Sequence, residues 1–172
     1  MSVISEEDCN IFSQYSTSST GWKNKKPNSF KDLNLLLHNV NWSNISKHFL
    51  LTEGFMYRYG EYLDWKLIFE HQILSQEFLR NNTSKLYKYK EVVSRYQLLS
   101  EAMMREFDYL LDWNILSVYQ KMSEPFIEQF QDKVNWEYIF EHQQLSEEFK
   151  NKFKNKIPEL DIPTECDCSM SH

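Results

Sequence analysis

The sequence predicts an all-α fold, an α-solenoid of short helix-turn-helix repeats. Three observations lead there. The first is composition: 172 residues with only 3 Gly and 4 Pro, against 5 Trp, 10 Tyr and 12 Phe. So little glycine does not suit the tight turns of a β-sandwich or the phosphate loops of a nucleotide-binding α/β fold. The second is a repeat. Trp65-Lys-Leu-Ile-Phe-Glu-His-Gln-Ile-Leu-Ser-Gln-Glu-Phe78 and Trp136-Glu-Tyr-Ile-Phe-Glu-His-Gln-Gln-Leu-Ser-Glu-Glu-Phe149 agree at ten of fourteen positions. The third is the placement of helix-capping residues at fixed points within it.

The same frame starts at Trp42, Trp65, Lys90, Trp113 and Trp136, with spacings of 23, 25, 23 and 23 residues. With the Trp as position zero, position three is Ile45, Ile68, Val93, Leu116 and Ile139. Position seven is Phe49, Gln72, Gln97, Gln120 and Gln143, and position nine is Leu51, Leu74, Leu99, Met122 and Leu145. Position thirteen is Phe55, Phe78, Met103, Phe126 and Phe149. Position seventeen is Tyr59, Asn82, Phe107, Phe130 and Phe153.

The elements follow in chain order. Residues 1–28 read as an N-terminal segment and a Ser- and Lys-rich linker. Ser29-Phe-Lys-Asp32 has capping-box spacing and opens a half-repeat over 29–39. Residues 29–157 form the repeat domain. Each repeat reads as two helices of about 8–10 residues, too short to stand alone in water. Asn41, Asp64, Asp112 and Asn135 stand before the first helix as N-caps. Val40, Leu63, Leu111 and Val134 precede them and staple onto position three. Thr52, Ser75, Ser100, Ser123 and Ser146 cap the second helix, with Leu or Met before and an acidic residue after.

The third repeat is irregular: Asn81-Asn82-Thr83-Ser84 interrupts the preceding helix, two residues are inserted, and Lys90 replaces the Trp. The frame fades at Ile157-Pro158, and 158–172 reads as a mobile tail.

The motif Val-Asn-Trp-x-x-Ile-x-x-x-Gln-x-Leu-Ser-Glu-x-Phe, as in Val134 to Phe149, resembles short helical repeats found in many proteins of large DNA viruses. The resemblance covers about residues 40–157. It implies a virus-encoded, intracellular repeat protein and brings no catalytic residues with it. Lys90 and the break at Asn81 depart from the pattern.

The net charge of −6 argues against nucleic acid or anionic lipid as the main partner. No apolar run approaches the roughly 18 residues of a membrane span. The first residues have neither the basic nor the apolar part of a signal peptide. Cys9, Cys166 and Cys168 lie outside the repeats, in keeping with a reduced, intracellular setting. Cys166, Cys168 and His172 could ligate metal, but a closed zinc site wants four ligands and a frame; a tail with spare thiols is the simpler reading.

No phosphate loop, metalloprotease motif or nucleophile elbow is present, so no catalytic residue, metal or cofactor is expected. His48 and His71 are too far apart, on neighbouring helices, for an easy shared metal. The position-seven glutamines are read as hydrogen-bonding backbone groups at the inter-helix turn. Positions two and six form a second stripe: Leu67 with His71, Val92 with Tyr96, Ile115 with Tyr119, Tyr138 with His142. It either packs against the next repeat or forms an aromatic groove for a partner. On the second reading Leu67, His71, Tyr96, Ile115, Tyr119, Tyr138 and His142 are the partner-binding residues.

The functional expectation is a non-enzymatic scaffold, in the host cytoplasm or nucleus or in the virion, that binds a host or viral protein. A self-assembling, virion-associated subunit is the alternative, with homo-oligomers through incompletely buried ends. A third is nucleic-acid binding through local lysines such as Lys150, Lys152, Lys154 and Lys156.

Overall fold

The computed structural model describes residues 37–157. They form an all-α repeat fold with eleven α-helices and one 3-10 turn, and no β-strand among the described residues. Contacts cluster in two compact units, one ending at Asp112 and the other starting at Trp113. The expected segment 1–28, most of the half-repeat 29–39 and the tail 158–172 lie outside the described residues. Of the half-repeat, Leu37 and His38 are helical and Leu37 is buried.

The first unit holds α1 (Trp42–His48), α2 (Glu53–Tyr59), α3 (Trp65–His71), α4 (Gln76–Arg80), α5 (Thr83–Lys88), α6 (Lys90–Tyr96) and α7 (Glu101–Glu106). The second holds α8 (Trp113–Tyr119), α9 (Glu124–Gln129), α10 (Trp136–His142) and α11 (Glu147–Phe153), then the 3-10 turn Lys154–Lys156. The first helices of successive repeats pack side by side: α1 on α3, α3 on α6, and α8 on α10.

The helices have five to seven residues, shorter than the 8–10 expected. Their ends explain this. The first helix of a repeat stops at position six, because position seven is extended at Phe49, Gln72, Gln97 and Gln143. Its start is where the caps place it. Asn41, Asp64 and Asn135 accept backbone N–H bonds from the first turn. Thr52, Ser75, Ser100 and Ser146 cap the second helices by accepting from the residue three further on. Ser123 takes the cap backbone conformation without that bond, ahead of Pro125.

Position three is fully buried in all five repeats, and the stapling residues Val40, Leu63, Leu111 and Val134 are buried beside it. Each such side chain contributes about 1.5–3 kcal/mol of burial. Positions zero, thirteen and seventeen close as an aromatic cluster. In the last repeat Trp136 stacks on Phe153 with centroids 4.7 Å apart, and Phe149 sits 4.7 Å from Phe153. Trp113, Phe126 and Phe130 repeat this arrangement. The indole N–H also donates outside its repeat, Trp65 to the Gly60 carbonyl at 2.7 Å and Trp136 to that of Gln131 at 2.9 Å. Lys85, Lys133 and Lys156, all at position twenty, hold their ammonium groups over Trp65, Trp113 and Trp136. Tyr62 stacks on Trp42 from the same position.

The irregular third repeat has a physical cause. At position four, Ser46, Ser94 and Ser117 are fully buried, and each hydroxyl accepts from the N–H of the next repeat's cap residue: Asp64, Asp112 and Asn135. Position four of the second repeat is Phe69, which cannot accept. There the two inserted residues belong to the additional helix α5, and the next cap residue, Tyr89, donates its N–H to Lys85 of that helix instead. Tyr89 lies against Phe69 at 6.0 Å, and Leu86 of α5 is fully buried. The break at Asn81–Ser84 is therefore present, and it opens a new helix rather than only shortening the old one. Lys90 is exposed, whereas the Trp residues in its place are buried or half-buried.

Candidate functional site

In the first, second and fourth repeats the turn between the two helices is built by the position-seven glutamine of the next repeat. Gln97 accepts from the Leu74 N–H at 3.2 Å and donates to the carbonyls of Phe69 and Gln72, both at 2.7 Å. Gln72 does the same for Leu51, Ser46 and Phe49. Gln143 does it for Met122, Ser117 and Gln120. One carboxamide, with a donor end and an acceptor end, thus matches two carbonyls and one N–H that would otherwise be unsatisfied. The expected backbone role of Gln72, Gln97 and Gln143 is present, and each spans a repeat junction.

This geometry decides which side chains face outward. Extended residues alternate sides. Position seven points inward to the junction, position nine inward to the core, and position eight between them points out. In the first unit position eight is Leu50, Ile73 and Leu98, which are 92%, 85% and 79% exposed. Because α1, α3 and α6 lie side by side, the three form a row along one edge, spaced by the roughly 8–10 Å that separates packed helices. His48, His71 and Tyr96 at position six are exposed on the same turns. The last turns of the preceding helices carry Lys47 and His48, Glu70 and His71, and Arg95, and Glu53, Glu77 and Glu101 stand at the starts of the second helices.

In the second unit position eight is Lys121 and Gln144, both exposed. The turns there border an open hollow of about 480 Å³ lined by Tyr119, Gln120, Lys121, His142 and Gln143, among others.

The stripe expected from positions two and six divides. His71, Tyr96, Tyr119 and His142 at position six are exposed. Leu67, Ile115 and Tyr138 at position two are half-buried. Tyr119 is exposed and Tyr138 half-buried, so the two rings are not both enclosed, and position six is exposed within each unit where the first helix ends. In the second unit Tyr138 and His142 approach at 6.2 Å. The position-eight row was not anticipated. Its aliphatic members were visible in sequence, but their direction depends on the extended turn.

His48 and His71 gain no third ligand: no group of three or more His, Cys, Asp or Glu suited to a metal occurs among the described residues. Cys9, Cys166, Cys168 and His172 lie outside them. No helix among the described residues is long and apolar enough to cross a membrane. No family model matches the chain, and comparison with curated proteins and with solved structures gave no match.

Proposed function

We propose that this chain is a non-enzymatic repeat scaffold that binds another protein along its turn edge. The observation that carries the reading is the row Leu50, Ile73 and Leu98. Three large aliphatic side chains stand almost fully in water at one repeat register, where none of them contributes to the core. An interface with an apolar centre and a charged rim has this composition. Glu53, Glu77 and Glu101, in the first turns of the adjoining helices, disfavour an anionic lipid surface or nucleic acid as the occupant. The buried polar side chains Ser46, Gln72, Ser94, Gln97 and Ser117 bond backbone groups, which supports a structural use for them rather than a catalytic one. The repeat motif's resemblance to proteins of large DNA viruses favours a virus-encoded chain acting on a host or viral protein.

The test compares the full chain with the triple variant Leu50→Ser, Ile73→Ser, Leu98→Ser. Serine at exposed turn sites shifts stability by only about 0.5 kcal/mol each, so helicity and melting should be preserved. Proteins recovered with the parent from cells and identified by mass spectrometry should be lost from the variant. An unchanged set would overturn the reading. Sedimentation of both chains assigns the edge to a second copy instead if the parent alone self-associates.

A further inference from the structure

Residues 78–90 carry four cations, Arg80, Lys85, Lys88 and Lys90, and no Asp or Glu, in a chain of net charge −6. The stretch spans the end of α4, the additional helix α5 and the first residue of α6. Arg80 is neutralised by Glu106 at 2.8 Å. Lys85 donates to the Asn82 side chain at 2.9 Å and lies over Trp65, so its charge meets no carboxylate. Lys88 and Lys90 are exposed and have no ion-pair partner among the described residues.

The helix α5 presents more than its junction requires. The junction uses Leu86, which is fully buried, and the Lys85 carbonyl, which accepts from the Tyr89 N–H. Thr83, Ser84, Tyr87 and Lys88 share the opposite arc of the helix, and all four are exposed. The ring of Tyr87 is 68% exposed and has no partner among the described residues, whereas the exposed Tyr57 leans on Phe78 at 4.8 Å. Since α4 leads away from the turn edge and α6 leads back to it, this arc lies at the other end of the helices.

We propose that α5 and the start of α6 bind single-stranded nucleic acid, with Lys85, Lys88 and Lys90 drawing its phosphates and Tyr87 stacking on a base. A run of cations without carboxylates is complementary to a polyanion. The free ring beside it favours a strand with unpaired bases over an acidic peptide, because every base offers a π-face to an exposed aromatic side chain. The negative net charge confines the contact to this segment, and Glu91 bounds it. The site shares no residue with the row Leu50, Ile73 and Leu98 and does not rest on that reading.

The test titrates the full chain into labelled oligouridylate and oligothymidylate of about 20 nucleotides and reads fluorescence anisotropy between about 50 and 200 mM salt. Three phosphate contacts, each adding about −0.7 to the log–log slope, should weaken binding roughly 20-fold across this range. Tyr87→Leu should weaken it roughly tenfold, and Tyr87→Phe should retain it. Lys88→Gln with Lys90→Gln should bring the slope from about −2 to about −0.7. Lys66→Gln with Lys121→Gln makes the same charge change at exposed sites elsewhere and should leave the slope at the parent value. All these positions except Lys85 are exposed, so helicity and melting should match the parent in every variant. Absence of binding to either strand at the lowest salt would overturn the proposal. Equal losses from the two lysine pairs would also overturn it, because binding would then follow net charge alone. Polyglutamate bound as tightly as the oligonucleotides, with no effect of Tyr87→Leu, would give the site to an acidic protein instead.

Discussion

Gln97→Leu isolates the junction chemistry. Leucine nearly matches glutamine in volume and suits the buried surroundings, so the change removes bonds with little change in packing. It strands the Leu74 N–H and frees the carbonyls of Phe69 and Gln72, bonded at 3.2, 2.7 and 2.7 Å. A buried group left unsatisfied costs about 1–3 kcal/mol, and carbonyls with a second lone pair fall at the low end. The sum is about 3 kcal/mol. For a cooperative unit of this size the melting temperature should fall by roughly 10–20 °C. Urea unfolding gives the free energy directly, with an unchanged m-value as the control for a common unfolded state. Exchange at Leu74 should rise more than exchange at Leu51, whose partner is Gln72. A loss below about 0.5 kcal/mol would refute the claim that these bonds hold the junction.

Gln97→Glu should be worse than Gln97→Leu at pH 7, because a carboxylate would face two carbonyls. Burial raises its folded pKa, so stability should be fully present below the unfolded value of about 4.3 and be lost as pH rises through the folded value; a variant equally stable at pH 4 and pH 7 would contradict this. Ser117→Ala removes the acceptor for the Asn135 N–H and should cost about 1–2 kcal/mol in urea unfolding, with faster exchange at Asn135. Trp136→Phe keeps most of the stacking on Phe153 but loses the bond to the Gln131 carbonyl, for a cost of about 1–2 kcal/mol; Trp136→Ala should cost about 3–5 kcal/mol by the same assay.

Much of this fold was legible because the repeat isolates each position five times. Invariant burial at Ile45, Ile68, Val93, Leu116 and Ile139 follows from helical spacing alone, and the serine caps follow from residue chemistry. The backbone role of the glutamines was also readable, since a neutral amide recurring beside a turn has few other uses. What they bridge was not, because the partners of Gln97 lie 23 to 28 residues earlier. Position four hid a second long-range bond: serine in a helix looks merely tolerated until the next repeat's cap residue is seen donating to it. Phe69 in place of serine and the two-residue insertion that follows meet at one junction, yet they look unrelated in a linear reading. Position twenty was missed for another reason: lysine near a helix end has a ready explanation in solvent, and only the stacked geometry reveals the indole beneath it.

The carboxamide junction also has a cost in information. It recognises two carbonyls and one N–H, which every such turn possesses, so one glutamine cannot tell its own turn from another. Correct order along the chain must come from connectivity and from the side chains around the junction. Here the most distinctive key is Phe69 with Tyr89 and the helix Thr83–Lys88. A folding chain whose repeats pair one place out of step would meet matching hydrogen bonds at junctions served by serine, but would fail at the one junction that demands a longer connection. The irregular repeat thus serves as a registration mark, fixing the alignment of an otherwise degenerate array.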